Sequence, residues 1–202
     1  INGSHEEIEL NRAADINMLC DPEVFLDKLI VLKKSIKWKL NNEWFDKNKK
    51  EKKNWIDKTL DDLNKETEDA KKNGGKIHPL QLALDVQELL TENDWLVIDG
   101  GNTHFWSEIA INIAGSKGKK LGGILHPGTF SMLGVGVPFA VSAKNLNPKS
   151  NVVLISGDGA FLSGGLSIEA AFQEKKPIVV VIDNNGGLDC ICLLYTSDAA
   201  DE

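Results

Sequence analysis

The 202-residue chain carries 23 basic and 30 acidic side chains, a net charge of -7, with 42% hydrophobic and 26% charged residues. That balance allows one good core and part of another, and it supplies no overall positive field to recruit nucleic acid or an anionic membrane surface. No apolar run approaches the roughly 20 residues that span a bilayer, and no basic-then-apolar leader opens the chain, so a cytoplasmic location is the expectation.

In chain order, residues 1–30 read as the tail of a domain. Ile8, Leu10 and Ile16 look like strand material running into Asp21-Pro22-Glu23. There, aspartate as N-cap and proline at the first helical position predict a helix start. From Lys37 to Lys76 the chain is dominated by Lys, Asn, Glu and Asp, with Trp38, Trp44, Phe45, Trp55, Ile56, Leu60 and Leu63 as apolar anchors at helical spacing. The pattern breaks at Asn73-Gly74-Gly75. Asp57, Asp61, Asp62, Glu66, Glu68 and Asp69 interleave with the lysines and cancel their charge. Residues 31–76 are therefore expected to form a charged, solvated connecting helix rather than a nucleic-acid-binding one.

After Lys76 a regular alternation begins. A helix is predicted from Pro79 to about Leu90, a strand over 95–99, a helix from about His104 and a strand around 121–125. A small-residue helix follows around Val135 to Ala143, then a strand over 151–156, a helix from Leu166 to Glu174 and a strand over 178–183. Short β-branched apolar runs alternating with helices imply an α/β domain whose parallel sheet is covered on both faces. Ligands of such sheets bind beyond the carboxyl ends of the strands. Three of those ends are polar and glycine-rich: Asp99-Gly100-Gly101-Asn102-Thr103, Gly157-Asp158-Gly159 and Asn184-Asn185-Gly186-Gly187.

The separation of Asp158 and Asn185 leaves room for a turn, a helix of about three turns, a loop and a return strand. If the two strands are neighbours, a right-handed crossover puts their ends about 5 Å apart. A carboxylate and a neutral amide placed there offer hard oxygen ligands to Mg2+, an ion that commonly shares its octahedral shell with phosphate oxygens and water. The flanking glycines let backbone and phosphate approach closely, and the N–H groups of Gly159 and Ala160 are candidate phosphate donors. The alternative for each residue is structural: Asp158 capping a helix that enters at Phe161, the asparagines as loop residues, and Leu133, Met132 and Val135 as plain core. His104 and His126 lie near strand ends, where substrate contact or proton donation competes with an ordinary surface role.

GDG followed by NN at this separation, together with the upstream GTFSMLGVGVPFA segment at 128–140, resembles the thiamine-diphosphate-dependent family. That family includes acetolactate synthase, benzoylformate decarboxylase and oxalyl-CoA decarboxylase. The resemblance implies a three-layer α/β/α fold with a mainly parallel sheet, and thiamine diphosphate and Mg2+ as cofactors. It makes Asp158, Asn185 and the carbonyl of Gly187 the metal ligands. Gly157, Gly159, Ala160 and Phe161 fall in the diphosphate-binding motif, and Asn102 and Thr103 match positions that contact the diphosphate. Leu133, directly before Gly134, takes the place of the apolar residue that props the cofactor in its bent form, with Met132 as the second candidate.

The resemblance covers residues 77–190, a truncated cofactor-binding domain, and more weakly residues 1–30, as the end of the family's central domain. It assigns no catalytic residue here. The activating glutamate is expected in a pyrimidine-binding domain upstream of residue 1, supplied by a partner subunit of a homodimer or homotetramer, so the chain alone is expected to be inactive. The implied substrate is a 2-keto acid or an acyl-CoA. An acetolactate-synthase-like carboligase is the first reading, on MLGVGVP and GDGAF, while GTF and NNGG also resemble the oxalyl-CoA and 2-hydroxyacyl-CoA lyase branch. A benzoylformate-type decarboxylase is a further alternative, and a noncatalytic cofactor-binding module is the alternative of another class. The last residues, 192–202, resemble the translation of a sequencing adapter. The three cysteines, Cys20, Cys190 and Cys192, are odd in number with no CxxC pair and suggest neither a disulfide framework nor a zinc site, and with Cys192 set aside the Cys190-Ile191-Cys192 pair dissolves.

Overall fold

The computed structural model describes residues 1–10, 12–37 and 39–188. Trp38, Cys190, Cys192 and the adapter-like segment lie outside the described residues. Contacts divide the chain into two compact units, Ile1–Lys53 and the part from Asn54 onward, with the boundary inside one helix.

In the first unit, helix α1 (Pro22–Lys33) starts as the sequence predicts. Asp21 is its N-cap, its side chain accepting from the Glu23 amide at 2.8 Å, with Pro22 in the first turn. The strand expected through Ile8, Leu10 and Ile16 does not form. This stretch is turn and irregular backbone, Leu10 and Ile16 are 72% and 83% exposed, and the only pairing among its described residues is an isolated bridge between Asn2 and Leu19. A strand is stable only when a ladder partner takes up its backbone groups, and none is provided here.

Helix α2 (Asn42–Asn73) covers most of the charged stretch expected over 31–76, but residues 31–33 belong to α1 and the described residues between the two helices are turn or irregular backbone. Only Ile56 and Leu63 of its apolar anchors are buried, while Trp44, Phe45 and Trp55 are exposed. It stops where Gly74 takes a left-handed backbone (φ 67°) and the Gly75 amide returns to the Ala70 carbonyl at 2.7 Å, the ordinary way a glycine satisfies a last carbonyl. No helix among the described residues is long and apolar enough to cross a membrane.

The second unit is built on α3 (Pro79–Leu89), β1 (Trp95–Ile98), α4 (Asn102–Ser116), β2 (Gly123–Leu125), α5 (Gly136–Leu146), β3 (Val152–Gly157), α6 (Asp158–Gly164), α7 (Ile168–Gln173) and β4 (Val179–Asp183). The helix expected to begin at Leu166 begins instead at Asp158, directly on β3. It breaks into a 3-10 turn at Gly165–Ser167 before α7 resumes. Ala160, Phe161 and Leu162 continue the helical backbone, and the Gly164-Gly165 pair interrupts it.

The four strands form one parallel sheet in the order β2-β1-β3-β4. Side chains alternate across it. Leu96, Ile98 and Ile155 pack with Leu63, with Leu80, Ala83 and Val86 of α3, and with Ala110 of α4. Val97, Val152 and Leu154 pack with Val137, Ala140 and Val141 of α5 and with Ala171 of α7. The sheet is thus covered on both faces, which makes the three-layer α/β/α arrangement.

One buried carboxylate ties the sheet's lower edge. Asp94, just before β1, accepts from the Thr91 amide and hydroxyl, both at 2.8 Å, and from the Asn151 amide (3.1 Å) and side chain (2.9 Å) at the start of β3. Burial pushes its carboxyl up, but the Thr91 and Asn151 donors outweigh it and hold Asp94 below the ordinary aspartate range. A carboxyl lowered on folding stabilises the native state above its unfolded value, and that contribution is lost as pH falls through the lowered folded value. Urea melts between about pH 5 and 2 should therefore show an acid limb that is shallower in Asp94→Asn. At neutral pH the variant should be less stable by about 1–3 kcal/mol.

Candidate functional site

The strand order creates the site. β1 is followed in sequence by β2 on one side, yet β3 joins on the other, so the chain reverses direction across the sheet between β1 and β3. Loops leaving the carboxyl ends on either side of such a reversal diverge and open a crevice. The loops after β1, β3 and β4, with the segment around Ser131 and Leu133, line a cavity of about 260 Å3.

Within it lie Asn102, Thr103, Leu133, Gly157, Asp158, Gly159, Ala160, Asn185 and Gly187, nine of the positions singled out in the sequence. Two others are not brought in. Met132 is 59% exposed and does not line the cavity. Phe161 turns the other way and packs, partly buried, against the cluster under α5. Gly100, Gly101, Ser131 and Leu188 also line the wall and were not singled out individually. The signal for the first two was present, as a Gly-Gly pair directly after a strand. Ser131 and Leu188 reach the wall only through the fold.

Asp99 holds the crevice in shape. It is 1% exposed. Its Oδ1 accepts from the amides of Gly100 and Gly134, both at 2.9 Å, and its Oδ2 accepts from the Ser156 hydroxyl at 3.0 Å. One carboxylate therefore joins the end of β1, the end of β3 and the loop that carries Leu133. Close approach requires glycine at three points around it. A Cβ on Gly136 would meet Asp99 Oδ2 at 2.7 Å, one on Gly100 would run into the Ser131 carbonyl, and one on Gly164 would overlap the Gly134 carbonyl. Gly164→Ala should consequently push the Leu133 loop away from α6 and destabilise the domain by roughly 1–3 kcal/mol, read in urea unfolding followed by circular dichroism.

The opposite wall is acidic. Asp158 is the first residue of α6, and Asp183 ends β4 next to it in register with Gly157. Burial pushes the Asp183 carboxyl up. The Thr103 hydroxyl, 3.5 Å from its Oδ2, works against that, the Asp158 charge pushes it further up, and His78 opposes. Of these two carboxylates, Asp158 lines the cavity, while Asp183 sits on the Thr103 hydroxyl outside the lining and feels the Asp158 charge. Asn185 folds back on its own loop, its side-chain oxygen accepting from the Gly187 amide at 3.2 Å, which leaves that oxygen a second lone pair.

This donor set consists of hard oxygens: a carboxylate, an amide oxygen and, at Gly187, a backbone carbonyl. It suits a hard divalent cation better than a soft one. The wall facing it is floored by glycines, where a Cβ on Gly157 would stand 3.3 Å from Thr103 Oγ1 and one on Gly159 would run into Leu188. The volume lies just below the range of ligand pockets, ~300–1,000 Å3.

A parallel α/β domain with a polar, glycine-floored crevice at its switch point defines a class: a domain that binds a small ligand beyond the carboxyl ends of its strands. Comparison with known proteins identifies which. The family described as "Thiamine pyrophosphate enzyme, C-terminal TPP binding domain" matches residues 99–200, half of the chain, and the chain belongs to that family. It is 32% identical over 111 residues to 2-hydroxyacyl-CoA lyase 2 of Homo sapiens, covering 55% of this chain and 17% of that protein. It is 28% identical over 124 residues to the catabolic acetolactate synthase of Raoultella terrigena, covering 61% and 21%. To the acetolactate synthase large subunit IlvG of Mycobacterium tuberculosis it is 32% identical over 111 residues, covering 54% and 19%. The aligned part is about a fifth of the length of these relatives. The chain is a thiamine-pyrophosphate-binding domain of the kind found in acetolactate synthases and 2-hydroxyacyl-CoA lyases.

Proposed function

We propose that the cavity holds the diphosphate end of thiamine diphosphate through Mg2+, with Asp158, Asn185 and the Gly187 carbonyl as the protein ligands. The observation that carries this reading is the convergence of those three positions with Asn102, Thr103 and the glycine floor in one crevice. The Asp158 carboxylate in the wall supports it, since a cation there would supply a counter-charge. Asn102 and Thr103, in the first turn of α4, face the diphosphate. Gly159 and Ala160 bring backbone N–H groups to it, and Leu133 supplies the apolar contact that shapes the bound cofactor. Its position in the wall favours Leu133 over Met132 for that role.

When bound, thiamine diphosphate supplies a nucleophilic carbon and an electron sink for breaking or forming a C–C bond next to a carbonyl. The residues of this chain hold and orient it, and the parent enzyme acts on a 2-keto acid or an acyl-CoA. Acetolactate-synthase-like decarboxylation and carboligation is the first reading. The likeness to 2-hydroxyacyl-CoA lyase 2 favours a lyase as the second. The full-length parent offered pyruvate or a 2-hydroxyacyl-CoA separates them by which substrate is consumed. A homodimer or homotetramer is the proposed assembly. Phe130, Met132 and Leu162 support it, because they are exposed and lie within two residues of cavity-lining positions.

The test is calorimetric titration of the folded chain with thiamine diphosphate in Mg2+ and in EDTA. Binding that needs Mg2+ is the expected result. A full-length parent that takes up no thiamine diphosphate with Mg2+ present would refute the assignment.

A further inference from the structure

A second group of ligating side chains lies outside the cavity. His104 and Glu108 stand one helical turn apart on α4, and His126 follows β2, the neighbour of β1. Their ligating atoms all lie within 4.8 Å of one another. The two imidazole rings are 5.0 Å apart centre to centre, and His104 Nε2 is 3.4 Å from Glu108 Oε1. Despite that distance, His104 Nε2 is buried and makes no hydrogen bond.

From this geometry we propose a binding site for a divalent transition cation of the Zn2+ type, held by His104, Glu108 and His126. The reasoning is chemical. Residues four apart on a helix present their side chains on one face. Two imidazoles and one carboxylate form a three-protein-ligand set for Zn2+ that keeps a fourth position open, and imidazole nitrogen selects such ions over Mg2+. A cation also gives the buried His104 nitrogen the partner it lacks.

Coordination requires modest movement. Tetrahedral bonds of about 2.0–2.1 Å draw ligand atoms closer than they stand now, and exposed His126 is the side chain free to move. His126 Nδ1 accepts from the Gly128 amide at 3.2 Å, so when neutral it carries its proton on Nε2. Ligation through either nitrogen replaces that bond. The Gly128 amide is thus a reporter specific to His126. The cation would pin the first turn of α4 to the segment leading to Ser131 and Leu133, outside the oxygen-ligand corner and independent of whether Mg2+ binds there.

The test uses the whole chain carrying Cys20→Ser, Cys190→Ser and Cys192→Ser, so that thiols do not compete for the metal. Zn2+ is titrated calorimetrically, and Co2+ absorption and the Gly128 amide resonance are followed in parallel. The expected result is one saturable Zn2+ site, a Co2+ spectrum of a four- or five-coordinate nitrogen-oxygen site, and a shifted Gly128 amide. Affinity should be at least ~10-fold weaker in His104→Ala and in His126→Ala and unchanged in Asp158→Ala. His126 is exposed, so its variant separates loss of a ligand from loss of the fold, which circular dichroism checks. Absence of saturable binding at micromolar Zn2+, or binding undiminished in His126→Ala, would overturn the proposal.

Discussion

Asp158→Ala should abolish Mg2+-dependent binding of thiamine diphosphate while leaving the domain folded. Asp158 brings the only formal negative charge among the three proposed ligands; Asn185 and Gly187 contribute neutral oxygens. Losing a charged ligand of this kind is worth about 3 kcal/mol, on the order of 100-fold in affinity. The apo protein should not suffer, because the substitution removes a charge that pushes the Asp183 carboxyl up. With Asp158 gone, Asp183 should titrate at lower pH, measurable by carbon-detected NMR of its carboxyl. Calorimetry and the urea midpoint together make the result decisive. Binding lost with the midpoint held or raised assigns Asp158 to the ligand, whereas both falling together would mean that it acts as a structural cap.

Asp99→Ala should have the reverse profile, a large loss of stability that also removes binding. The substitution leaves two amides, those of Gly100 and Gly134, without their side-chain acceptor, and it leaves the Ser156 hydroxyl only its 3.2 Å bond to the Gly157 carbonyl. Ser156 and Asp99 are almost completely buried, so water does not readily replace the lost bonds. Each unpaired buried donor costs about 1–3 kcal/mol, and a loss of about 3–5 kcal/mol is expected in urea unfolding. Asp99→Asn keeps the shape and one acceptor oxygen, and its amide can donate to Ser156. It should recover a large part of the stability. If both variants unfolded at the wild-type midpoint, the role of Asp99 as the tie between β1, β3 and the Leu133 loop would be wrong.

The positions lining the cavity were legible in the sequence in unequal degree. Asp158 and Asn185 could be read because they sit beside glycines at the ends of short β-branched runs, a pattern local enough to need no knowledge of the fold. Asp99 was visible only as part of a polar strand end, and its function as an anchor depends on Gly134 and Ser156, which reach it from other elements. Leu133 and Met132 are adjacent and both apolar, so spacing left the choice between them to the segment's resemblance to relatives. The turn at Ser131, with its left-handed backbone (φ 47°), sends one into the cavity wall and leaves the other exposed. The helix after β3 was expected too late because Gly157-Asp158-Gly159 reads as a turn, yet the backbone enters helix at Asp158.

By itself, then, the sequence determined the β/α alternation, the starts of α1 and α3 at Asp21-Pro22 and Pro79, the runs of β1, β3 and β4, and the oxygen-bearing residues beyond them. These are consequences of backbone sterics and side-chain periodicity acting over a few residues. Only the tertiary structure decided that the strands lie in the order β2-β1-β3-β4, that the reversal between β1 and β3 opens the crevice, and that the described residues of the apolar run through Ile8 and Ile16 form no strand. It alone brought His104, Glu108 and His126 together. Strand neighbours are chosen by contacts between segments far apart in the chain, whose closure no local pattern encodes.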